Sequence, residues 1–138
     1  MEDVTNHVGV LSGRKVMLVE DDVYLSDLIA KKLSKQGTKL LHAANGEDAI
    51  RLLQNEDVPD IILLDIILPG VNGFEVLGKI KQDGKTRAIP VIILSNLDQQ
   101  SDLDKGKELG AVKFLIKATV TLDEIVKEAE SVLAMQKK

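Results

Sequence analysis

The sequence contains no cysteine and no tryptophan, and its aromatic residues amount to two Phe and one Tyr. Without cysteine there is no disulfide framework, no Cys-based zinc site and no thiol nucleophile, so thiol redox chemistry is excluded from the mechanism. Apolar runs stop at about five residues, far short of the roughly 18 that a membrane span needs. The start, MEDVTNHVGV, lacks the basic-then-apolar pattern of a signal peptide. A cytoplasmic location, away from membranes, is the default expectation. Charge of one sign does not dominate either: 18 Lys and Arg are mixed among 22 Asp and Glu, for a net charge of -4. No basic stripe is left to neutralise a phosphate backbone, so direct nucleic-acid binding is not expected.

What is there is an ordinary globular balance, 44% hydrophobic and 29% charged over 138 residues, enough for one domain with a real core and not for two. Short apolar runs alternate with stretches of helical periodicity from end to end. Runs 16–19, 61–64 and 91–94 are continuously apolar, as central parallel strands covered on both faces should be. Run 40–44 carries His42 and run 112–116 is interrupted by Lys113, so both are expected nearer the sheet edges. Leu25, Leu28, Ile29 and Leu33 predict a first helix, Ala49, Ile50 and Leu53 a second, and Phe74, Leu77 and Ile80 a third. Leu122, Ile125, Val126, Ala129, Val132 and Leu133 predict the last. Between Asp98 and Leu109 the only large apolar residues are Leu103 and Leu109, so the fourth helix should be locally weak. The expectation is an α/β fold, a doubly wound five-stranded parallel sheet in the flavodoxin-like order 2-1-3-4-5 with helices on both faces. Residues 1–13 show no sustained pattern and read as a flexible tail, leaving 14–138 as the domain.

In such sheets ligands bind beyond the carboxyl ends of the strands, where strand order reverses. Glu20, Asp21 and Asp22 follow the first strand, Asp65 the third, Ser95 the fourth and Lys117 the fifth. If the first and third strands are neighbours, Glu20, Asp21 and Asp65 converge. Two like charges about 4 Å apart repel by roughly 4 kcal/mol at an effective dielectric near 20, so a carboxyl must be protonated or a cation must join the group. Mg²⁺ suits oxygen ligands and is usually held by one or two carboxylates plus phosphate oxygens. Asp65 could then act as a nucleophile that forms an aspartyl-phosphate. The metal, the Ser95 hydroxyl and the Lys117 ammonium would neutralise the transferred group.

The motifs VEDD at 19–22, LLDIILPGVNG at 63–73, PVIILS at 90–95 and FLIK at 114–117, in this order, resemble those of response-regulator receiver domains, over nearly the whole chain. The resemblance implies a stand-alone receiver rather than an enzyme acting on a separate substrate. Asp65 would take a phosphoryl group from a histidine of a kinase or phosphotransfer protein, with Glu20 and Asp21 holding Mg²⁺. It also implies the backbone carbonyl of Ile67 as a metal ligand, Ser95 as the switch hydroxyl and Phe114 as the switch aromatic. With no output domain in view, the signal would leave by contact with a downstream protein or by onward phosphotransfer.

Each residue also has a plainer reading. Asp22 is best read as a helix N-cap. Asp65 before Leu68-Pro69-Gly70 could end a strand in a turn, Ser95 could cap a helix, Lys117 could be a solvated lysine and Phe114 could be core. His7 and His42 lack a partner at ligand spacing and receive no role. The chain departs from the receiver pattern at Ala118, where proline is usual, and at Asn96, where alanine or glycine is usual. Ile67 and Leu97 occupy positions that, by the same resemblance, flank the phosphoryl group, and their apolar side chains would slow attack by water. Ala118 and Asn96 keep open a receiver fold that never uses its site. A Mg²⁺-dependent phosphatase is disfavoured because Asp65 is followed by Ile66 and Ile67 rather than by an Asp-x-Asp, and a flavin or dinucleotide binder because no Gly-rich turn follows the first strand.

Overall fold

The computed structural model describes residues 9–55 and 58–136. The strands are β1 (Lys15–Val19), β2 (Lys39–Ala43), β3 (Ile61–Leu64), β4 (Val91–Ser95) and β5 (Lys113–Ile116). The helices are α1 (Val23–Ser34), α2 (Gly46–Leu53), α3 (Gly73–Gln82), α4 (Gln100–Glu108) and α5 (Leu122–Gln136). All strand pairs are parallel, in the order β2-β1-β3-β4-β5. The expected doubly wound sheet and its strand order are borne out.

Strand alternation explains the two cores. Met17, Val19, Ile62, Leu64 and Ile93 face one side, against α2 and α3 residues such as Ala49, Val76, Leu77 and Ile80. Val16, Leu18, Ile61, Leu63, Ile92 and Leu94 face the other, against Ile29 and Leu33 of α1 and Ile125, Ala129 and Leu133 of α5. Residues of β3 are buried without exception, which is why its sequence is IILL rather than alternating. The edge strands β2 and β5 tolerate His42 and Lys113, both exposed.

Capping starts most helices where the sequence places an oxygen. Asp22 Oδ1 accepts from the Leu25 amide, Asn45 Oδ1 from the Asp48 amide, and Asn72 Oδ1 from the Phe74 and Glu75 amides. Thr121 and Glu124 form a reciprocal capping box ahead of α5, at 3.1 and 2.8 Å. Helix α4 is the exception: its N-cap, Gln99, makes no side-chain cap bond, and Gly106 is the one buried residue of the helix. It is seated through that glycine, where an added Cβ would lie 2.7 Å from Ile93 Cδ1 and 3.1 Å from the Phe114 ring.

The expected tail of residues 1–13 needs correction. Residues 1–8 lie outside the described residues, but residues 9–13 turn back onto the fold and Leu11 is 1% exposed, packed in the α1/α5 core. The Gly13 amide donates to the Gly37 carbonyl at 2.9 Å. The pair Val10-Leu11, flanked by Gly9 and by Ser12-Gly13, is too short to show a period, so its packing left no trace in the pattern.

Candidate functional site

The site is built at the carboxyl ends of β1, β3, β4 and β5. Val19 pairs with Leu64, so the residues just beyond them come side by side, and the Asp65 amide donates to the Val19 carbonyl at 3.0 Å. The Glu20 amide donates to the Ala43 carbonyl at 3.0 Å, which fixes the far side of the same edge. Behind Asp65 the chain folds back tightly: the Gly73 amide donates to the Ile66 carbonyl at 2.8 Å, and a Cβ on Gly73 would lie 2.3 Å from the Asp65 carbonyl oxygen. Only glycine lets α3 begin so close to the Asp65 backbone.

Glu20, Asp21 and Asp65 each bring a carboxylate oxygen into a group whose members lie within 4.8 Å of one another. Glu20 and Asp65 are buried, while Asp21 is exposed. Glu20 Oε2 accepts from the Asp22 amide at 3.0 Å, and Asp65 Oδ1 from the Ile67 amide at 3.2 Å. Lys117 Nζ donates to Asp65 Oδ2 at 2.7 Å and lies 2.8 Å from Glu20 Oε1, the latter an ion pair rather than an aligned hydrogen bond. The Lys117 side chain is 18% exposed, so it is not a solvated surface lysine.

Burial, helped by the Asp65 charge, holds the Glu20 carboxyl above its ordinary range against the opposing pull of Lys117 and the Asp22 amide. Burial pulls the Lys117 ammonium down, but its close contacts with the Asp65 and Glu20 carboxylates outweigh that and leave it raised. One ammonium thus faces two buried carboxylates with a third close by. The donor set is all oxygen, which fits a hard divalent cation, and these three carboxylates could hold a metal ion.

Ser95 is fully buried and its Oγ has no hydrogen-bond partner, so it does not cap a helix; the cap position of α4 is Gln99. An orphaned buried hydroxyl at the end of the strand next to the one that carries Asp65 invites an acceptor from outside the chain. Phe114 is half-buried and packs against the core and Gly106. Ile67 stands 59% exposed at the mouth, with Leu97 half-buried.

Two contacts escaped the sequence reading. His42 donates from Nε2 to the Glu20 carbonyl at 2.8 Å. Asn96 Oδ1 accepts from the Ala118 amide at 2.9 Å, where residues 117–119 form a short 3-10 turn and no peptide bond among the described residues is cis. Neither pairing is local, so no spacing along the chain signals it.

Residues 16–130 match the family model for the response regulator receiver domain. The chain belongs to this family, the receiver domains of two-component signalling. It is 37% identical over 120 residues to protein PilH of Pseudomonas aeruginosa, an alignment covering 87% of this chain and 98% of PilH. Among solved structures, the phosphorylated cyanobacterial phytochrome response regulator RcpA superposes with a TM-score of 0.81 at 29% identity, covering 92% of this chain and 98% of that one. The Mn²⁺-bound form of response regulator Rcp1 gives 0.75 at 30% identity, covering 86% and 91%. No helix among the described residues is long and apolar enough to cross a membrane.

Proposed function

We propose that the chain is a phosphorylation-dependent switch in which Asp65 accepts a phosphoryl group from a phosphohistidine on a kinase or histidine phosphotransfer protein. The observation that carries this reading is the convergence of Glu20, Asp21, Asp65 and Lys117 at the strand ends, with a buried, unpartnered Ser95 hydroxyl at the end of the neighbouring β4. A phosphorylated form of RcpA and a Mn²⁺ form of Rcp1 support the same chemistry by likeness.

An Asp65 carboxylate oxygen attacks phosphorus in line, the O–P bond forms as the N–P bond to the donor imidazole breaks, and the imidazole keeps the electron pair. Glu20 and Asp21, with Asp65 and the Ile67 carbonyl, would hold Mg²⁺, which when bound supplies positive charge to the phosphoryl oxygens. Asp65 Oδ1 is oriented by the Ile67 amide, which leaves Oδ2 as the attacking atom. Lys117, already on Oδ2, follows the transferred group as its counter-ion. The Ser95 hydroxyl then donates to a phosphoryl oxygen and gains the partner it lacks in this state. Filling that space biases Phe114 and the thinly anchored α4 towards a second arrangement, the switch that a downstream protein reads.

Water attack at phosphorus returns Asp65 to its carboxylate and releases inorganic phosphate. The same residues assist both steps, so the chain promotes its own phosphorylation and dephosphorylation without turning over a separate substrate. The partners are a donor protein and a target protein in the cytoplasm, with neither nucleic acid nor membrane required. Intact-mass spectrometry after incubation with acetyl phosphate and Mg²⁺ tests the reading. One added phosphoryl group in wild type, absent in Asp65→Asn and without Mg²⁺, is the expected result. A folded wild type that takes no group from acetyl phosphate or from any phosphohistidine donor overturns it and favours a receiver fold used only as a binding module.

A further inference from the structure

The last rung of the β4–β5 ladder pairs Ser95 with Ile116. Beyond it the two strands part, each carrying a site group at its end: Ser95 on one, Lys117 on the other. The 3-10 turn that starts at Lys117 has exposed amides to satisfy, and its own N-cap, Ile116, offers no side-chain acceptor. The acceptor comes from across the sheet. Asn96 Oδ1 lies 2.9 Å from the Ala118 amide nitrogen, 22 residues away in the chain. The bonded residues each directly follow a site residue, so the contact bridges the strand ends where backbone pairing has stopped. These are also the two positions that depart from the receiver pattern, and they depart together: proline at 118 would have no amide to give, and alanine or glycine at 96 no oxygen to receive it.

We infer that Asn96 is a positioning residue for Lys117: it caps the turn after β5 from the end of β4 and holds the Lys117 ammonium against Asp65 and Glu20. The inference rests on the phosphoacceptor reading for its consequence in catalysis, but not for the clamp itself. Lys117 reaches the carboxylates on a flexible four-carbon stem, so its placement depends on how well its backbone is fixed. Of the two sides of the turn, one is fixed by the β5 ladder; on the other, Thr119 Oγ1 donates to the Ile116 carbonyl at 3.0 Å within the turn itself, and Asn96 supplies the tie to β4. Because Asn96 is exposed and its side-chain oxygen is engaged by the Ala118 amide, next to Lys117, it acts through Lys117 rather than on the transferred group.

The test has two readouts on the full chain. The first needs no phosphorylation: amide hydrogen exchange at Ala118 and exchange of the Lys117 ammonium protons, measured by NMR in wild type, Asn96→Ala and Asn96→Asp. Asn96→Ala should speed both by roughly three- to tenfold, the range that one exposed hydrogen bond supplies. Asn96→Asp, which keeps the acceptor, should restore the Ala118 value. The second is the rate of adduct formation with acetyl phosphate and Mg²⁺, which should fall by a similar factor in Asn96→Ala while the thermal midpoint drops by no more than about 5 °C. In a Lys117→Ala background, Asn96→Ala should have no further effect on that rate. Wild-type exchange at both groups in Asn96→Ala overturns the clamp. An undiminished Asn96 effect without Lys117 overturns its action through that lysine. A wild type that forms no adduct counts against the phosphoacceptor reading alone, and the exchange rates then decide the clamp.

Discussion

Removing the Lys117 charge should destabilise the protein in a way that both acid and divalent cations repair. Lys117 Nζ sits 2.7 Å from Asp65 Oδ2 and 2.8 Å from Glu20 Oε1, and both carboxylates are buried. Lys117→Met keeps an unbranched chain of similar length but leaves two buried like charges without their counter-ion. Removing one partner of a buried pair costs about 3 to 5 kcal/mol. The partial exposure of Lys117 and the openness of the site at Asp21 argue for the lower end, about 3 kcal/mol, or roughly 10 °C in Tm. Glu20 sets the pH dependence. Its carboxyl is raised by burial, so the folded protein holds that proton to a higher pH than the unfolded chain does, and the associated stability is present at low pH and lost as pH rises through the folded value. Without Lys117 the opposing pull is gone, and this window extends upward. The deficit of Lys117→Met should therefore be largest at alkaline pH and should shrink as pH falls and Glu20 takes its proton. Millimolar Mg²⁺ at neutral pH should close much of the gap by supplying the missing charge. Urea denaturation of both proteins across pH, with and without Mg²⁺, measures all three effects. A deficit under about 0.5 kcal/mol, or one indifferent to pH and Mg²⁺, would refute the idea that this lysine neutralises the cluster.

Three further outcomes follow from the same structure. Ser95→Ala deletes a buried hydroxyl that has no partner, so stability without phosphorylation should change by less than about 1 kcal/mol, while the shift in Phe114 and α4 resonances on phosphorylation should disappear. Leu11→Ala should cost about 2 to 5 kcal/mol in urea denaturation if residues 9–13 belong to the folded unit, and close to nothing if they are a tail. Replacing Ile67 and Leu97 together by Asn and Glu should speed loss of the phosphoryl group from isolated protein, followed by intact mass over time. An unchanged decay would mean that these side chains do not restrain the attacking water.

How much of this was legible in the sequence depended on the range of the contact. Strands β1, β3 and β4 announced themselves because a parallel strand covered on both faces must be apolar throughout, and IILL at 61–64 admits little else. The thin apolar content of α4 was equally readable, since Leu103 is its only large apolar residue and Gly106 its one buried residue. Strand order then brought Glu20, Asp21, Asp65, Ser95 and Lys117 to one edge, because each lies at or just beyond the carboxyl end of a strand and the sheet reverses between β1 and β3. The rest was invisible for a common reason. Leu11 on the core, His42 on the Glu20 carbonyl and Asn96 on the Ala118 amide are single contacts between distant segments, with no periodicity to betray them. Asn96 and Ala118 each stood out as a departure from the receiver pattern, but only the folded chain shows that they are partners.

The central claim is that Asp65 is the group that becomes phosphorylated. An acyl phosphate is reduced by borohydride to an alcohol, so phosphorylated protein treated with borohydride and digested should carry homoserine at position 65. Peptide mapping that finds it there, and finds none without acetyl phosphate or in Asp65→Asn, is the predicted result. Homoserine at Asp21, Asp22 or another aspartate, with position 65 untouched, would contradict the account.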